Sequence, residues 1–586
     1  PATLKETVVT ASRLEQPVTD VVADVSIIDR AQIDRLGAVT VPQLLARLPG
    51  LQAISFGDAS RIYIRGADSR MTALYVDGVR VDSQDGVGSI GGGVPWELVP
   101  VSQIERIEVL RGAASAVYGS DAMGGVIQIF TKRGEAGFTP FVNLGGGSMN
   151  LRRINAGMSG AQGGWDYALG LGQDDSDGYN TRPDLTHTPD REASASQTAS
   201  ARLGYQLAPK HRLELAALAS QLDSHYVPWG GGTDYNAHGS LNTSALKWTA
   251  QWTDVYSTNL ALTQSRIAKR DNVPFDYQTT LQGLLLENNL RLTHGVVSLV
   301  LEQKKDEFDA KPSGFFDPAI RGERTQEAIA FGYGATYGQH SIQLNARHDH
   351  DSVFGAHQTG ALAYAYALTP QWRATISTGT AFRAPTLEQA FGPYGSKQLA
   401  PETNRSHELG LSYADTTSTY KAVFYRNAME NMISSSASLA TCSAGFFCYY
   451  NVGQASIQGL TLSGAHHYKN YDVRASLDYL DPRDDVTGRV LSLRARRTFS
   501  LGVDRRLAGW QLGGEVQAVG ERFNEAANTT VLPGYALLNL TATTQLNKDW
   551  RFVTRLDNAA DVKYQQVADY AAPGRVFYLG FQWQPH

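Results

Sequence analysis

From about residue 135 to its end the chain alternates apolar and polar residues, and nothing else in the sequence could cover the apolar side. Ala536, Leu538, Leu540 and Ala542 share one face, with Asn539, Thr541 and Thr543 on the other. Asn547-Lys548-Asp549 turns the chain, after which Trp550, Phe552 and Leu556 resume an apolar face opposite Arg551 and Arg555. Phe577, Leu579, Phe581 and Trp583 make another such face. A period of two marks strands with one apolar side, and the region holds no convincing amphipathic helix to pack against them. No run of about 18 apolar residues exists either, which excludes a helical membrane span. A closed barrel in lipid removes both difficulties, because its outer face meets hydrocarbon and closure leaves no strand edge unpaired. At roughly 20 residues per strand and connection, residues 135–586 make about 22 antiparallel strands, a size at which the lumen must be filled. The alternative, a soluble propeller, would show a blade-length repeat, and none is found.

Composition agrees with that expectation. The 586 residues are 42% hydrophobic and 19% charged, which does not describe a disordered chain. Abundant Gly (57), Tyr (27) and Trp (9) favour strands, turns and aromatic surfaces. A net charge of −5 argues against a nucleic-acid partner, which would need a basic face. Residues 1 to about 134 follow a different grammar and read as a compact α/β domain. Asp29 and Gln32 make a capping box for a short helix that Gly37 can end. Thr40 caps a second helix, with Pro42 in its first turn and Leu44, Leu45 and Leu48 on one face. Short apolar strands follow at 61–65, 73–76, 104–110 and 126–130, with Asp77-Gly78 as a turn and small residues between Asp85 and Gly93 as a loop. This domain is the natural plug. The expected fold is an all-β transmembrane barrel with an N-terminal α/β plug in its lumen. Only two cysteines occur, Cys442 and Cys448, whose proximity fits a loop disulfide in an oxidising compartment. No leader precedes Pro1, so the sequence reads as a mature chain.

Three N-terminal stretches resemble the TonB-dependent outer-membrane transporters. Glu6-Thr7-Val8-Val9-Thr10-Ala11 looks like the family's TonB box. Ile64-Arg65-Gly66 with Tyr75-Val76-Asp77-Gly78-Val79-Arg80 is similar to its first plug signature. Ile104 to Gly112 with Ala116 to Ile127 is similar to its second. Phe382-Arg383-Ala384-Pro385-Thr386, Glu408-Leu409-Gly410, Asn451-Val452-Gly453 and Ile457-Gln458-Gly459 resemble barrel segments, so the likeness runs along the whole chain. It implies residues 1–12 as TonB box and flexible N-terminus, 13–134 as plug, and 135–586 as barrel. It also implies a bacterial outer-membrane location, a monomer in lipid, and TonB of the inner-membrane energising complex as a partner. A β-prone hexapeptide can add as a strand to that partner's sheet edge. Arg65 and Arg111, each before a Gly, are expected to dock the plug on wall carboxylates, with Glu408 as a partner.

Within the family, chain length and the stretches Glu6 to Pro17, Arg47 to Leu51 and Arg111 to Ala122 are similar to the cobalamin transporters. That resemblance implies import of cobalamin or a related corrinoid. Corrin needs aromatic faces, hydroxyls and amides, offered at the plug apices by Ser55, Asp58, Gln84, Asp85 and Ser89. The outer loops offer Tyr226, Trp229, Tyr235 and Tyr449. It implies no required cofactor, with calcium as an option in the outer loops at Asp177, Asp190, Glu192, Asp223 and Asp234. Haem, a ferric siderophore or another metal chelate is the alternative cargo. Thr386 to Leu399 holds no axial His, although His225, His238 and His407 occur elsewhere, and residues 229–242 and 434–451 carry no Lys or Arg for a catecholate. An outer-membrane enzyme is the other class, and no Gly-x-Ser-x-Gly nucleophile motif supports it.

Overall fold

The computed structural model describes residues 7–8, 16–17, 21–37, 40–56, 59–85, 93–183, 191–227, 235–271, 276–312, 319–436 and 448–585. Among them, 22 strands close a barrel that runs from Gly137–Gly147 to Val576–Trp583, every neighbouring pair antiparallel. Closure pairs the first strand with the last, Val142 opposite Trp583 and Gly147 opposite Tyr578. Period-two alternation decides which way each residue points. Leu538, Leu540, Phe577, Leu579 and Phe581 are exposed on the outside, while Asn539, Thr543 and Tyr578 are buried toward the lumen. Cross-strand register turns these residues into transverse rows. Trp248, Leu260, Leu286, Leu301 and Ile329 are partners on five consecutive strands, an apolar belt one side chain tall. At one end the strands join through two-residue turns such as 163–164, 209–210 and 469–470, and at the other through long connections such as 384–401 and 558–575. Short turns mark the periplasmic end. Near them Trp165 stacks on Tyr205 at 4.2 Å and Trp372 meets Tyr413 at 5.0 Å, an interfacial girdle.

The plug sheet has the order Val25–Ile28, Ile104–Arg111, Gly125–Thr131, Thr72–Val76, Val79–Arg80. Only the pairing of Thr72–Val76 with Gly125–Thr131 is parallel. Asp29 accepts from the Gln32 amide at 2.7 Å to start the helix Arg30–Leu36, which Gly37 ends in a left-handed conformation. Asp77 and Gly78, at φ 49° and 82°, make the tight turn their residue types demand. A hairpin, Leu51–Phe56 with Ala59–Ile64, stands beside the sheet. The plug does not finish its own core: Leu218, Leu241 and Ile267 of the wall pack into the cluster of Leu44, Leu45, Ile62, Trp96 and Ile107.

Charge fixes the plug's orientation. Arg65 Nη1 lies 2.8 Å from Glu408 Oε1 of the wall, and its guanidinium sits 4.5 Å from the Tyr425 ring centroid. Arg111 pairs inside the plug, 3.5 Å from Asp24, and donates to the Pro49 carbonyl at 3.0 Å. Asp24 is the shared counter-ion, because Arg65 also pairs with it and Lys421 of the wall reaches it at 2.6 Å. The glycine after each arginine lets the wall come close. A Cβ at Gly112, whose φ is +91°, would collide with the Glu408 carboxylate, and one at Gly66 would sit 3.0 Å from Leu480 Cδ2. Burial alone would raise the Asp24 carboxyl, but Lys421, Arg111 and Arg65 together hold it well below the usual carboxylate range. On the opposite flank Arg324 pairs with Asp306 at 2.9 Å and donates to Gln84 Oε1 at 3.1 Å, while Arg80 joins Asp82 and Asp121.

Two outcomes follow. Phe331→Lys puts a charge on the lipid face, inside the apolar rows, and is expected to destabilise the barrel by about 2 kcal/mol, whereas Gln303→Lys, two rows outward, changes little; urea titration in lipid vesicles checks both. Asp24→Asn leaves buried guanidiniums short of a carboxylate and is expected to lower plug stability by about 3 kcal/mol, read as the urea concentration at which the plug becomes trypsin-sensitive. Because the folded Asp24 carboxyl titrates below its ordinary value of about 4, its contribution is full above that pH and drains as pH falls further. Wild-type plug stability therefore drops in acid more steeply than that of Asp24→Asn.

Candidate functional site: the cavity between plug and wall

A cavity of about 580 Å³ lies between plug and barrel toward the long-loop end. The plug hairpin lines it with Gln52, Ser55 and Ser60, and the wall with hydroxyls and amides, among them Asn155, Thr198, Ser500, Gln517 and Asn539. These polar residues point inward for the same reason that their neighbours in sequence point into lipid. An aromatic rim closes one side. Tyr535 and Tyr564 pack with centroids 4.3 Å apart and their rings tilted by 36°, and the 558–575 connection folds onto the plug apex. There the Ser55 amide donates to Gln566 Oε1 at 2.8 Å, and Ile54, Tyr63, Val567 and Tyr570 pack together.

The lining is acidic. Among its described residues are six carboxylates, Glu97, Asp174, Asp175, Glu192, Asp478 and Asp557, against three guanidiniums, Arg47, Arg522 and Arg555. Each guanidinium is engaged. Arg47 is 3.4 Å from Glu515, Arg555 is 2.8 Å from Asp557, and Arg522 donates to the Gln565 carbonyl at 3.0 Å. Burial, with the Glu192 carboxylate nearby, pushes the Tyr179 phenol up and keeps it a neutral donor at the rim. The site can therefore hold a large ligand through stacking and many neutral hydrogen bonds, and it resists an anion.

Of the contact residues expected from the sequence, Ser55 lines this cavity. Gln84 and Asp85 are buried on the other flank, where the Gln84 amide donates to Thr279 Oγ1 at 3.0 Å and the Tyr277 hydroxyl to Asp85 at 3.2 Å. Tyr226 is buried with its hydroxyl 2.6 Å from Asp271 and its ring edge-on to Tyr235, and Tyr449 packs with Leu399 and Ile433. None of these five lines the cavity. The connection 384–401 explains the Gln84 flank: its helix Leu387–Phe391, held by a Thr386/Gln389 capping box, is buried in the lumen there, and its Glu388 amide donates to the Gln84 carbonyl. Asp58, Ser89 and Trp229 lie outside the described residues. Of the acids considered for calcium, Asp177 accepts from Asn150 at 3.3 Å, Glu192 from the Thr181 hydroxyl, and Asp223 pairs with His238 at 2.7 Å. Among the described residues no three His, Cys, Asp or Glu side chains converge as metal ligands, and Asp190 and Asp234 lie outside them. Cys448 opens the strand Cys448–Tyr468, and Cys442 is outside the described residues. At the N-terminus Thr7–Val8 pairs antiparallel with Gln16–Pro17, while Glu6, Val9, Thr10 and Ala11 are outside. Sequence reasoning missed Asp24 and Lys421 in the docking cluster, and Tyr535 and Gln566 at the rim.

Comparison with known proteins accords with this architecture. Residues 17–126 match the TonB-dependent Receptor Plug Domain, and residues 138–559 match the TonB dependent receptor-like, beta-barrel family. The chain is 26% identical to the Vitamin B12 transporter BtuB of Photobacterium profundum, over 97% of its own length and 94% of the relative's. It is 28% identical to that of Vibrio vulnificus, over 98% and 93%. Among solved structures it resembles the ferric enterobactin receptor PfeA of Pseudomonas aeruginosa, with a TM-score of 0.84 at 20% identity over 96% and 98% of the two chains. The siderophore receptor PirA of Acinetobacter baumannii gives a TM-score of 0.84 at 18% identity over the same shares. Plug and barrel together, the chain belongs to the family of TonB-dependent receptors, transporters of the bacterial outer membrane.

Proposed function

We propose that this transporter imports a corrinoid of the cobalamin class. The observation that carries the reading is the cavity lining, acid-rich and served by hydroxyls, amides and the Tyr535–Tyr564 ring pair, with every guanidinium already engaged. A corrinoid carries amide side chains and an apolar ring, and it asks for neutral donors, acceptors and aromatic faces. A ferric catecholate is an anion and would meet a lining that holds more carboxylates than guanidiniums, two of those carboxylates, Asp174 and Asp557, being paired with Arg153 and Arg555. Similarity to the vitamin B12 transporters along nearly the whole chain supports the same ligand, while the likeness to siderophore receptors supports the fold. A Cys442–Cys448 bridge closing the outer loop belongs to this proposal. Haem is the competing cargo because His225 stands on the lining, although its propionates would face the same carboxylates. Energy has to come from TonB, which would take the box segment as an added strand in place of its pairing with Gln16–Pro17.

Equilibrium binding of cyanocobalamin to the detergent-purified chain, beside haem and a ferric catecholate, tests the ligand. Saturable binding of the corrinoid alone is expected, and its absence sinks the assignment. A chelator arm decides whether the acidic outer loops need calcium. Tyr564→Ala is expected to weaken binding about ten-fold, or ~1.4 kcal/mol. Val8→Pro removes a backbone donor from the box, so uptake by whole cells should collapse with affinity unchanged; equal loss of both would argue against a role confined to energy coupling.

A further inference from the structure

The outward face over strands Trp372–Arg383, Glu402–Ala414, Ser418–Ser436 and Cys448–Tyr468 changes character within one row. Ile376, Leu409, Phe424 and Leu460 are successive register partners, each between 38% and 53% exposed, and form the last apolar row before the outer end. One side-chain step outward the partners are Thr378, His407, Arg426 and Gln458, and one further step on brings Arg405. Arg405, His407 and Arg426 are all exposed. His407 and Arg426 face each other directly, and Arg405, two residues from His407 on the same strand, is diagonal to Arg426, a spacing of about 7–8 Å. His407 Nδ1 is 3.0 Å from Thr378 Oγ1.

Elsewhere on this rim several outward cations carry carboxylate partners, although among the described residues Arg266 stands exposed without one. Lys305 is 2.6 Å from Glu307, Arg270 is 3.3 Å from Asp276, Arg321 is 3.5 Å from Asp309, and Arg483 is 3.0 Å from Asp481. Among the described residues Arg405 and Arg426 have no ion pair. The outward acid nearest in register, Glu430, is diagonal to Arg405 and makes none with it. Two adjacent guanidiniums repel each other unless an anion lies between them. Here the surroundings that can supply one are lipid headgroups, directly above a row of apolar side chains that acyl chains cover. Guanidinium forks match phosphate oxygens two at a time.

We propose that Arg405, Arg426 and His407 form an exterior binding site for a phosphorylated, acylated glycolipid of the outer leaflet, with its phosphate between the two arginines and its acyl chains along Ile376, Leu409, Phe424 and Leu460. The site is separate from the transport cavity and independent of which ligand that cavity takes. A glycolipid is favoured over a glycerophospholipid because the patch offers two forks and an imidazole across adjacent strands, enough for a bulky phosphorylated sugar, where one fork serves a single phosphodiester.

Native mass spectrometry of the full chain in neutral detergent tests this with lipid A and, separately, phosphatidylglycerol. The wild type is expected to retain one lipid A at a concentration where phosphatidylglycerol is lost. The double variant Arg405→Glu with Arg426→Glu should lose retention more than ten-fold, and the milder Arg405→Gln with Arg426→Gln a few-fold. Arg266→Glu, which removes an outward arginine from another part of the rim, should retain lipid A as the wild type does. Heat-modifiable mobility establishes that each variant is folded, and the glutamine pair serves if the charge reversal is not. Undiminished retention in a folded double variant, phosphatidylglycerol held as tightly as lipid A, or displacement of the lipid by a second copy of the chain overturns the proposal.

Discussion

A backbone amide in hydrocarbon has no water to bond, and the rest of this structure follows from that constraint. Each strand has to be paired on both sides, so the sheet must close. Closing 22 strands leaves a lumen wide enough to hold a folded domain. That domain inherits a problem of its own, since its surroundings are a polar wall as well as its own apolar residues. The solution is shared packing: Leu218, Leu241 and Ile267 leave the lipid-facing pattern to the other face of their strands and complete the plug's core. Barrel and plug are therefore one packed body, although each has its own sheet.

Electrostatics then sets which way the plug sits. One flank is held by the cluster of Asp24, Arg65, Arg111, Glu408 and Lys421, the other by Arg324, Asp306 and Gln84. Exposed ion pairs would add little. Here the partners are buried, and breaking one leaves an uncompensated charge in a confined space. The cavity occupies a third side, where serines, threonines and amides line the wall and the plug is held by fewer contacts, Arg47 with Glu515 and Ser55 with Gln566.

The barrel was legible in the sequence because its physics is local. A period of two in residues 536–543 and 577–583 is enough to say which side meets lipid, and Asp29, Gly37 and Asp77-Gly78 announce caps and a turn through their own backbone preferences. Arg65 and Glu408 were legible through motif resemblance. Asp24 was not, because its partner Lys421 is 397 residues away and neither residue stands in a pattern that points to the other. The same distance problem hides the surroundings of Gln84, Asp85 and Tyr449. Their residue types suit a ligand, but an inward-folding helix 300 residues beyond Gln84 and Asp85 covers that flank, and long-range packing leaves no trace in local spacing. Tyr535 and Gln566 were passed over for the converse reason, since nothing local shows that the 558–575 connection bends back over the plug.

The strand Val25–Ile28 comes first in sequence among the five of the plug sheet and is also its edge, bonded on one side only, to Ile104–Arg111. Asp24 immediately precedes it. Tension applied at the N-terminus thus meets its resistances in series. Past the pairing of Thr7–Val8 with Gln16–Pro17 it reaches the charge cluster, and then the four residue pairs from Val25 with Leu110 to Ile28 with Ile107 in turn. A central strand would have to be sheared from two neighbours at once; an edge strand peels. The yield force of such an arrangement is that of its strongest single step, and it does not grow with the size of the plug. A modest pull can therefore free this strand while the other four keep their order.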